Sequence, residues 1–440
     1  MKKEIFEIIT LGCKVNQSES ATMSAKLTAY GCQAFKPTDM NPDAAISGEN
    51  VTICIINTCT VTEKASMQSR QAIRKAIRNH PNAKIIVTGC YAQTQPEELI
   101  KIKGVDDIVG RGGKSSIPEK IFIESPLSKP PTTFLSLPAF AHRTRAFLKI
   151  QDGCNAKCTY CIVPRARGAS QSMPYEQVLA QIKRLEQTGY KEIVLCGIHM
   201  GTYGRDLDPV TDLEKLLTGI EESNTTARIR LSSIEPREIS DEIISLVAKS
   251  KKLCHHFHIP LQSGDDGILK KMGRPYSGAF FRALILKIHQ QIPNAAIGID
   301  TLIGFPGESD AAFNQTYDLV ESLPITYLHA FPFSPRDKTP AAKLPGRVPF
   351  DIVKDRCRKM RALGAQKKKL FYEGMRGKIA SVLVEGRSTP ETGRYKGTTS
   401  NYVPVYLIGA APIKNTMVQV RVERFLGERG VIGSLVTSKD

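Results

Sequence analysis

The stretch RAFLKIQDGCNAKCTYC, residues 145–161, opens a run of β/α alternation and carries three cysteines directly behind its first strand. Cys154, Cys158 and Cys161 fall within eight residues. Three thiolates so close together wrap one corner of a compact cluster. A 4Fe-4S cube needs four ligands, so one iron is left without a protein partner and becomes a reaction site. A zinc knuckle would need a fourth Cys or His nearby, and no His lies within ten residues on either side.

From Arg145 to about Leu328 six β-like runs alternate with helical patterns: Phe147 to Gln151, Glu192 to Ile198, Ile229 to Ile234, His256 to Leu261, Ala296 to Ile303 and Tyr327 to Phe333. Tyr175 to Thr188, closed by Gly189, and Asp310 to Leu323 are two of the helices. This predicts a partial (β/α)6 barrel over 140–373, with chemistry at the C-terminal ends of its strands. A basic helix, Asp351 to about Tyr372, ends it. Residues 1–123 alternate in the same way and predict an α/β domain on a parallel sheet, with strands Glu4 to Leu11, Val51 to Asn57 and Lys84 to Thr88. Helices are expected to start near Gln17, ending at Gly31, and near Thr62. Pro126, Pro130, Pro131 and Pro138 mark a linker over 124–139. Residues 374–440 change to short strands punctuated by glycines and predict a small antiparallel β-barrel.

The first domain holds a second cysteine set. Cys13 ends Ile8-Ile9-Thr10-Leu11-Gly12-Cys13, Cys59 ends Ile55-Ile56-Asn57-Thr58-Cys59, and Cys90 ends Ile85-Ile86-Val87-Thr88-Gly89-Cys90. Carboxyl ends of neighbouring parallel strands converge on one sheet edge, so the three thiols are expected to meet. Cys32, Cys54, Cys196, Cys254 and Cys357 lack this placement and read as structural.

The 440 residues carry 61 Lys plus Arg against 43 Asp plus Glu, a net charge of +18. Twelve of those charges sit between Ala341 and Asp440, which favours a polyanionic partner for the tail. No apolar run reaches a membrane-spanning length, and Glu4 and Glu7 interrupt any signal-peptide core, so a cytoplasmic protein without a membrane partner is expected. Eleven cysteines in such a compartment point to metal or catalytic use rather than disulfides.

Residues 153–161 resemble the radical S-adenosylmethionine superfamily signature. The resemblance implies that the open iron chelates the methionine amine and carboxylate, and that reduction splits the sulfonium to give a 5'-deoxyadenosyl radical. With the second cysteine set, the barrel and the basic tail, nearly the whole chain resembles the methylthiotransferase family. That implies two 4Fe-4S clusters: a radical cluster on Cys154, Cys158 and Cys161, and an auxiliary one on Cys13, Cys59 and Cys90 whose open iron carries the sulfur. It also implies S-adenosylmethionine used twice, as radical source and as methyl donor. The segments 11–17, 57–62 and 88–93 are most similar to the tRNA threonylcarbamoyladenosine methylthiotransferases, and the tail to the RNA-binding TRAM domain. Ala169-Ser170-Gln171-Ser172 departs from a more basic stretch usual in the family.

The resemblance further implies cofactor contacts at Tyr160, whose backbone meets the adenine, and at Gly304. The strand-end positions Gly197, Ser233, Glu235 and Gln262 offer close backbone approach or polar groups to the same cofactor. Arg165, Arg167 and Arg274 are candidates for tRNA phosphate. The expected partners are a tRNA anticodon loop, modified at position 37 on C2 of threonylcarbamoyladenosine, and an electron donor such as flavodoxin or ferredoxin. The alternatives are methylthiolation of isopentenyladenosine or of a ribosomal protein side chain, and a non-catalytic iron-sulfur RNA-binding protein. The last would need four protein ligands per cluster.

Overall fold

The computed structural model describes residues 4–35, 51–121, 144–387, 395–408 and 414–436, and the chain divides into two compact units. One comprises residues 1–141, 152–156 and 161–169; the other comprises 142–151, 157–160 and 170–440. The expected linker, 124–139, and the boundary at 123 lie outside the described residues.

The first unit is built on a five-stranded parallel sheet in the spatial order Gln33–Ala34, Ile5–Thr10, Ile53–Thr58, Lys84–Gly89, Asp107–Val109. The three longer strands match those expected from the sequence; the two outer ones are too short to show a period. Ile53–Thr58 is buried at every position, as a strand covered on both faces must be. Its alternate residues feed two cores. Cys54 and Ile56 pack with Ile85, Val87 and Ile73, the last from the helix Glu63–Asn79, while Ile53 and Ile55 pack with Ile86, Met23 and Leu27, the last two from the helix Lys14–Ala29. Thr62 caps the helix Glu63–Asn79, its hydroxyl accepting from the Ala65 N–H at 3.1 Å. The strand order reverses between Ile5–Thr10 and Ile53–Thr58. The carboxyl ends of those two strands therefore flank the crevice where open α/β sheets take ligands.

The second unit carries six parallel strands in chain order. Arg145–Lys149, Glu192–Cys196 and Arg228–Leu231 form one sheet of three, and His256–His258, Ala296–Ile303 and Tyr327–Pro332 another. Single bridges, Ile229 to Leu253 and Ser233 to His258, join the two into an open barrel wall. Asp212, Ser240, Ser277 and Ser309 each cap the helix that follows, through a side-chain oxygen accepting a backbone N–H three residues on.

The helix Phe350–Glu373 leads into a closed five-stranded barrel, with neighbours in the order Ile379–Arg387, Tyr395–Thr399, Pro404–Ile408, Val431–Leu435, Met417–Phe425. One pairing departs from the antiparallel expectation: Pro404–Ile408 runs parallel to Val431–Leu435. This small barrel locks onto the N-terminal ends of the larger barrel's strands. Arg228 donates to the Thr398 carbonyl at 2.9 Å, and Arg230 to the carbonyls of Thr399 at 3.0 Å and Ser400 at 2.8 Å. Both guanidiniums also bond the fully buried Glu192.

Candidate active site

Cys13, Cys59 and Cys90 follow the strands ending at Thr10, Thr58 and Gly89. Gly12 and Gly89 adopt φ of +94° and +98°. A Cβ on Gly12 would stand 2.9 Å from Cys59 Sγ, and one on Gly89 would stand 2.4 Å from the Thr58 carbonyl oxygen. Only glycine permits both the dihedral and the approach, so these two residues let the strand ends converge. The thiols feel one another: burial, with the charges of Cys90 and Cys13 adding to it, pushes Cys59 up to about 11. Burial also raises Cys90, against the pull of Arg167. Cys59 and Cys90 are buried, Cys13 is exposed, and none of the eleven cysteines is in a disulfide. Three convergent thiols with one side open are the donor set of a three-ligand cluster, so the residues fit the auxiliary group.

Polar side chains lace this edge together. The buried Asn16 amide donates to the carbonyls of Leu11 at 2.7 Å and Thr58 at 3.0 Å, fixing the approaches to Cys13 and Cys59. Arg167, also buried, bonds Glu19 at 2.6 Å, Asp152 at 3.2 Å and Asn16, and its guanidinium reaches the Cys90 thiol. Burial works against its charge, but Glu19, Cys90, Asp152 and Cys13 together hold it protonated. Asp152 precedes Cys154, and Arg167 ends the short helix Val163–Arg167 after Cys161. The flanks of the second cysteine loop also bind each other. The Cys154 N–H donates to the Gly168 carbonyl at 2.9 Å, and a Cβ on Gly153, at φ +72°, would stand 1.9 Å from the Ala169 carbonyl oxygen. Cys154, Cys158 and Cys161 are themselves half-exposed.

In the second unit Cys158 Sγ accepts from Arg274 Nη1 at 3.2 Å. Arg274 pairs with Glu235, and its Nε donates to the Tyr276 hydroxyl at 3.1 Å. Burial raises the Glu235 carboxyl, against the pull of Arg274. Gly197, Ser233, Gln262 and Gly304 all follow C-terminal strand ends, on the side of the barrel where chemistry is expected. A Cβ on Gly197 would stand 3.0 Å from Gln151 Oε1, which accepts from the N–H groups of Ile198 and His199. Ser233 is exposed. Gln262 takes φ +65°, its N–H donating to Asp300 O and its carbonyl accepting from Leu302. Tyr160 packs against the core of Ile268, Met272 and Phe305. Gly304, at φ +79°, has a first reason to be glycine in packing: a Cβ there would meet Val353 at 2.3 Å.

Arg165 is exposed and remains available to phosphate. Arg167 and Arg274 are corrections: both guanidiniums are buried and engaged by carboxylates, so neither presents a surface charge. They hold the Cys90 and Cys158 thiols instead. Asn16 and Gln151 also act on the site unforeseen; an amide in the sequence gives no signal of which backbone it will bind.

Residues 148–320 match the Radical SAM superfamily, and residues 5–110 match the uncharacterized protein family UPF0004. The chain is 37% identical over 429 residues to a threonylcarbamoyladenosine tRNA methylthiotransferase from Bacillus subtilis (strain 168), covering 94% of this chain and 92% of that protein. It is 36% identical to the enzyme of that description from Aquifex aeolicus, covering 85% and 91%, and 33% identical to a tRNA-2-methylthio-N(6)-dimethylallyladenosine synthase of Clostridium botulinum, covering 95% and 94%. Among solved structures, a radical S-adenosylmethionine methyltransferase from Kitasatospora setae shares the fold, with a TM-score of 0.57 at 14% identity over 77% of each chain. Near-complete coverage at more than a third identity, on two cysteine sets held as described, makes this chain a member of the tRNA methylthiotransferase family of radical S-adenosylmethionine enzymes.

Proposed function

We propose that the protein methylthiolates C2 of N6-threonylcarbamoyladenosine at tRNA position 37. The observation that carries the reading is the first unit itself, in which the buried Arg167 joins Cys90 and Cys13 to Asp152, two residues before Cys154. Loaded with two 4Fe-4S clusters and S-adenosylmethionine, these residues would gain a radical source at Cys154, Cys158 and Cys161 and a sulfur-bearing centre at Cys13, Cys59 and Cys90. Around them the chain's own groups do the positioning. Arg167 fixes Cys90, Arg274 fixes Cys158, and Asn16 holds two strand ends at one spacing. Gly197, Ser233, Glu235, Gln262 and the Tyr160 backbone are the proposed grip on S-adenosylmethionine.

The target base must be brought into contact with these centres, and an unstacked loop base meets that need. Arg165 and the basic tail are proposed to hold the RNA, and a flavodoxin- or ferredoxin-type donor to supply electrons. Among the described residues no helix is long and apolar enough to cross a membrane, and the reading places the work in the cytoplasm. Nucleoside mass spectrometry of tRNA from cells lacking the protein tests the proposal. Methylthio-threonylcarbamoyladenosine should vanish while methylthio-isopentenyladenosine remains; the opposite pattern would overturn it.

A further inference from the structure

The barrel interior of the second unit carries polar chemistry that the cysteine sets and the cofactor contacts do not use. In ordinary β/α barrels the inward positions are filled by layers of branched apolar side chains. Here the helix-facing positions of Ala296–Ile303, namely Ile297, Ile299, Thr301 and Ile303, are buried, whereas the alternate, inward ones are Gly298, Asp300 and Leu302. The neighbouring strands place His256 and His258, and Tyr327, His329 and Phe331, in register with them. No branched β-carbon stands at any of these inward positions.

Three of these groups come together. The ligand atoms of His258, Asp300 and His329 lie within 4.8 Å of one another, and His258 Nε2 stands 3.0 Å from Asp300 Oδ2. The His258 and His329 rings stack at 5.8 Å, and the Tyr327 hydroxyl holds His258 Nδ1 at 3.2 Å and His256 Nε2 at 2.8 Å. Gly298 makes room for that tyrosine, since a Cβ there would overlap its ring. His258 and Asp300 are half-buried, and His329 and Phe331 are exposed. The set is thus oriented from below and open toward the lumen.

We propose that His258, Asp300 and His329 are the receptor for the N6 substituent of the substrate adenosine, which the preceding reading makes threonylcarbamoyl. That group ends in a carboxylate, a hydroxyl and ureido N–H groups. With the His258 ring nitrogens turned to Asp300 and Tyr327, the His329 imidazole is the donor for the carboxylate, Asp300 accepts from the hydroxyl or a ureido N–H, and Phe331 offers a face for a base. An isopentenyl group offers only apolar surface and would meet none of the three with a hydrogen bond. Sites built to hydrogen-bond a substrate reject the analogue lacking that group by up to about 10⁴–10⁵-fold.

The test uses the cluster-loaded enzyme and anticodon stem-loops bearing threonylcarbamoyladenosine, isopentenyladenosine or plain adenosine at position 37. Dissociation constants and kcat/KM are compared for wild type, His329→Leu, His329→Gln and Asp300→Asn. His329→Leu should lower the preference for threonylcarbamoyl over isopentenyl by about 10–100-fold, chiefly by weakening the threonylcarbamoyl loop. His329→Gln, which keeps a donor, should retain part of the preference. Because His329 is exposed its variants should fold, and iron content and thermal melting check that they do. A wild type selective for threonylcarbamoyl whose preference survives both His329→Leu and Asp300→Asn overturns this inference alone. A wild type that prefers isopentenyl overturns the substrate reading as well.

Discussion

Replacing Glu192 by Gln should release the small C-terminal barrel from the larger one. Glu192 is fully buried and bonds two guanidiniums, Arg228 Nε at 2.7 Å and Arg230 Nε at 2.7 Å. Burial opposes its charge, but Arg230 and Arg228 overcome this and hold the carboxyl at about 2, against an ordinary 4.5. At 1.36 kcal/mol per pH unit the difference corresponds to about 3 kcal/mol of stability. The folded value lies below the unfolded one. The contribution is therefore complete above about pH 4.5 and drains away as the pH falls toward 2. In Glu192→Gln the two guanidiniums keep the backbone carbonyls of residues 381 and 398–400 and one amide oxygen, and two buried cations lose the carboxylate charge between them. Breaking a buried pair in this way costs about 3–5 kcal/mol. Native-state hydrogen exchange at the amides of Val382, Val384 and Val420, all in the small barrel's core, reads the loss directly. Converting Arg228 and Arg230 to Met in the same background should recover much of it. A loss below about 1 kcal/mol, or an acid limb of stability identical in variant and wild type, would refute the clamp.

Converting Cys154, Cys158 and Cys161 to Ala should abolish 5'-deoxyadenosine formation and leave about half the iron, whereas converting Cys13, Cys59 and Cys90 should spare that formation and stop thiolation; full cleavage by the first variant would refute the assignment. Arg167→Met removes the ion pairs to Glu19 and Asp152, leaving Glu19 its second cation, Lys114, and should destabilise the first unit by about 3 kcal/mol in urea unfolding. Arg167→Lys keeps the charge but loses the fork, and should recover only part; complete recovery would show that charge alone matters. Changing the exposed Arg421, Arg424 and Arg429 to Gln should flatten the salt dependence of tRNA binding, by about 0.7–0.9 in log-log slope for each phosphate no longer neutralised. An unchanged slope would move the RNA grip off the small barrel.

What was legible in the sequence depended on how local its cause was. Ile53–Thr58 is apolar along most of its length because both faces are covered, so it announces itself. Cys13, Cys59 and Cys90 were legible as a set because each closes such a run. The sequence misleads where burial is decided by distant partners. Arg167, just past a cysteine loop, and Arg274 look like surface cations. They are interior because Glu19, 148 residues from Arg167, and Glu235, 39 residues from Arg274, meet them there. The parallel pairing of Pro404–Ile408 with Val431–Leu435 is hidden for the same reason, since short glycine-punctuated strands carry no mark of their neighbours. His258, Asp300 and His329 lie far apart in sequence, and only the register of three strands assembles them.

The placement of the small barrel bears on why the substrate should be a whole tRNA. It docks at the N-terminal ends of the barrel strands, through Glu192, Arg228 and the Asn294 carbonyl, which accepts from Asn401 at 3.0 Å. Gly197, Ser233 and Gln262 stand at the opposite, C-terminal ends. Strands here run three to eight residues, as in His256–His258 and Ala296–Ile303. At about 3.3 Å per residue, the two ends are some 10–26 Å apart. A nucleoside cannot touch both, but a folded RNA held by its backbone on one side can present a loop on the other. The basic strand faces should therefore act on capture rather than chemistry. Substitutions at Arg421 and Arg424 should raise KM for full-length tRNA and leave kcat unchanged, and should leave turnover of a short anticodon-loop oligonucleotide unaffected; an equal fall in kcat for both substrates would refute the division of labour.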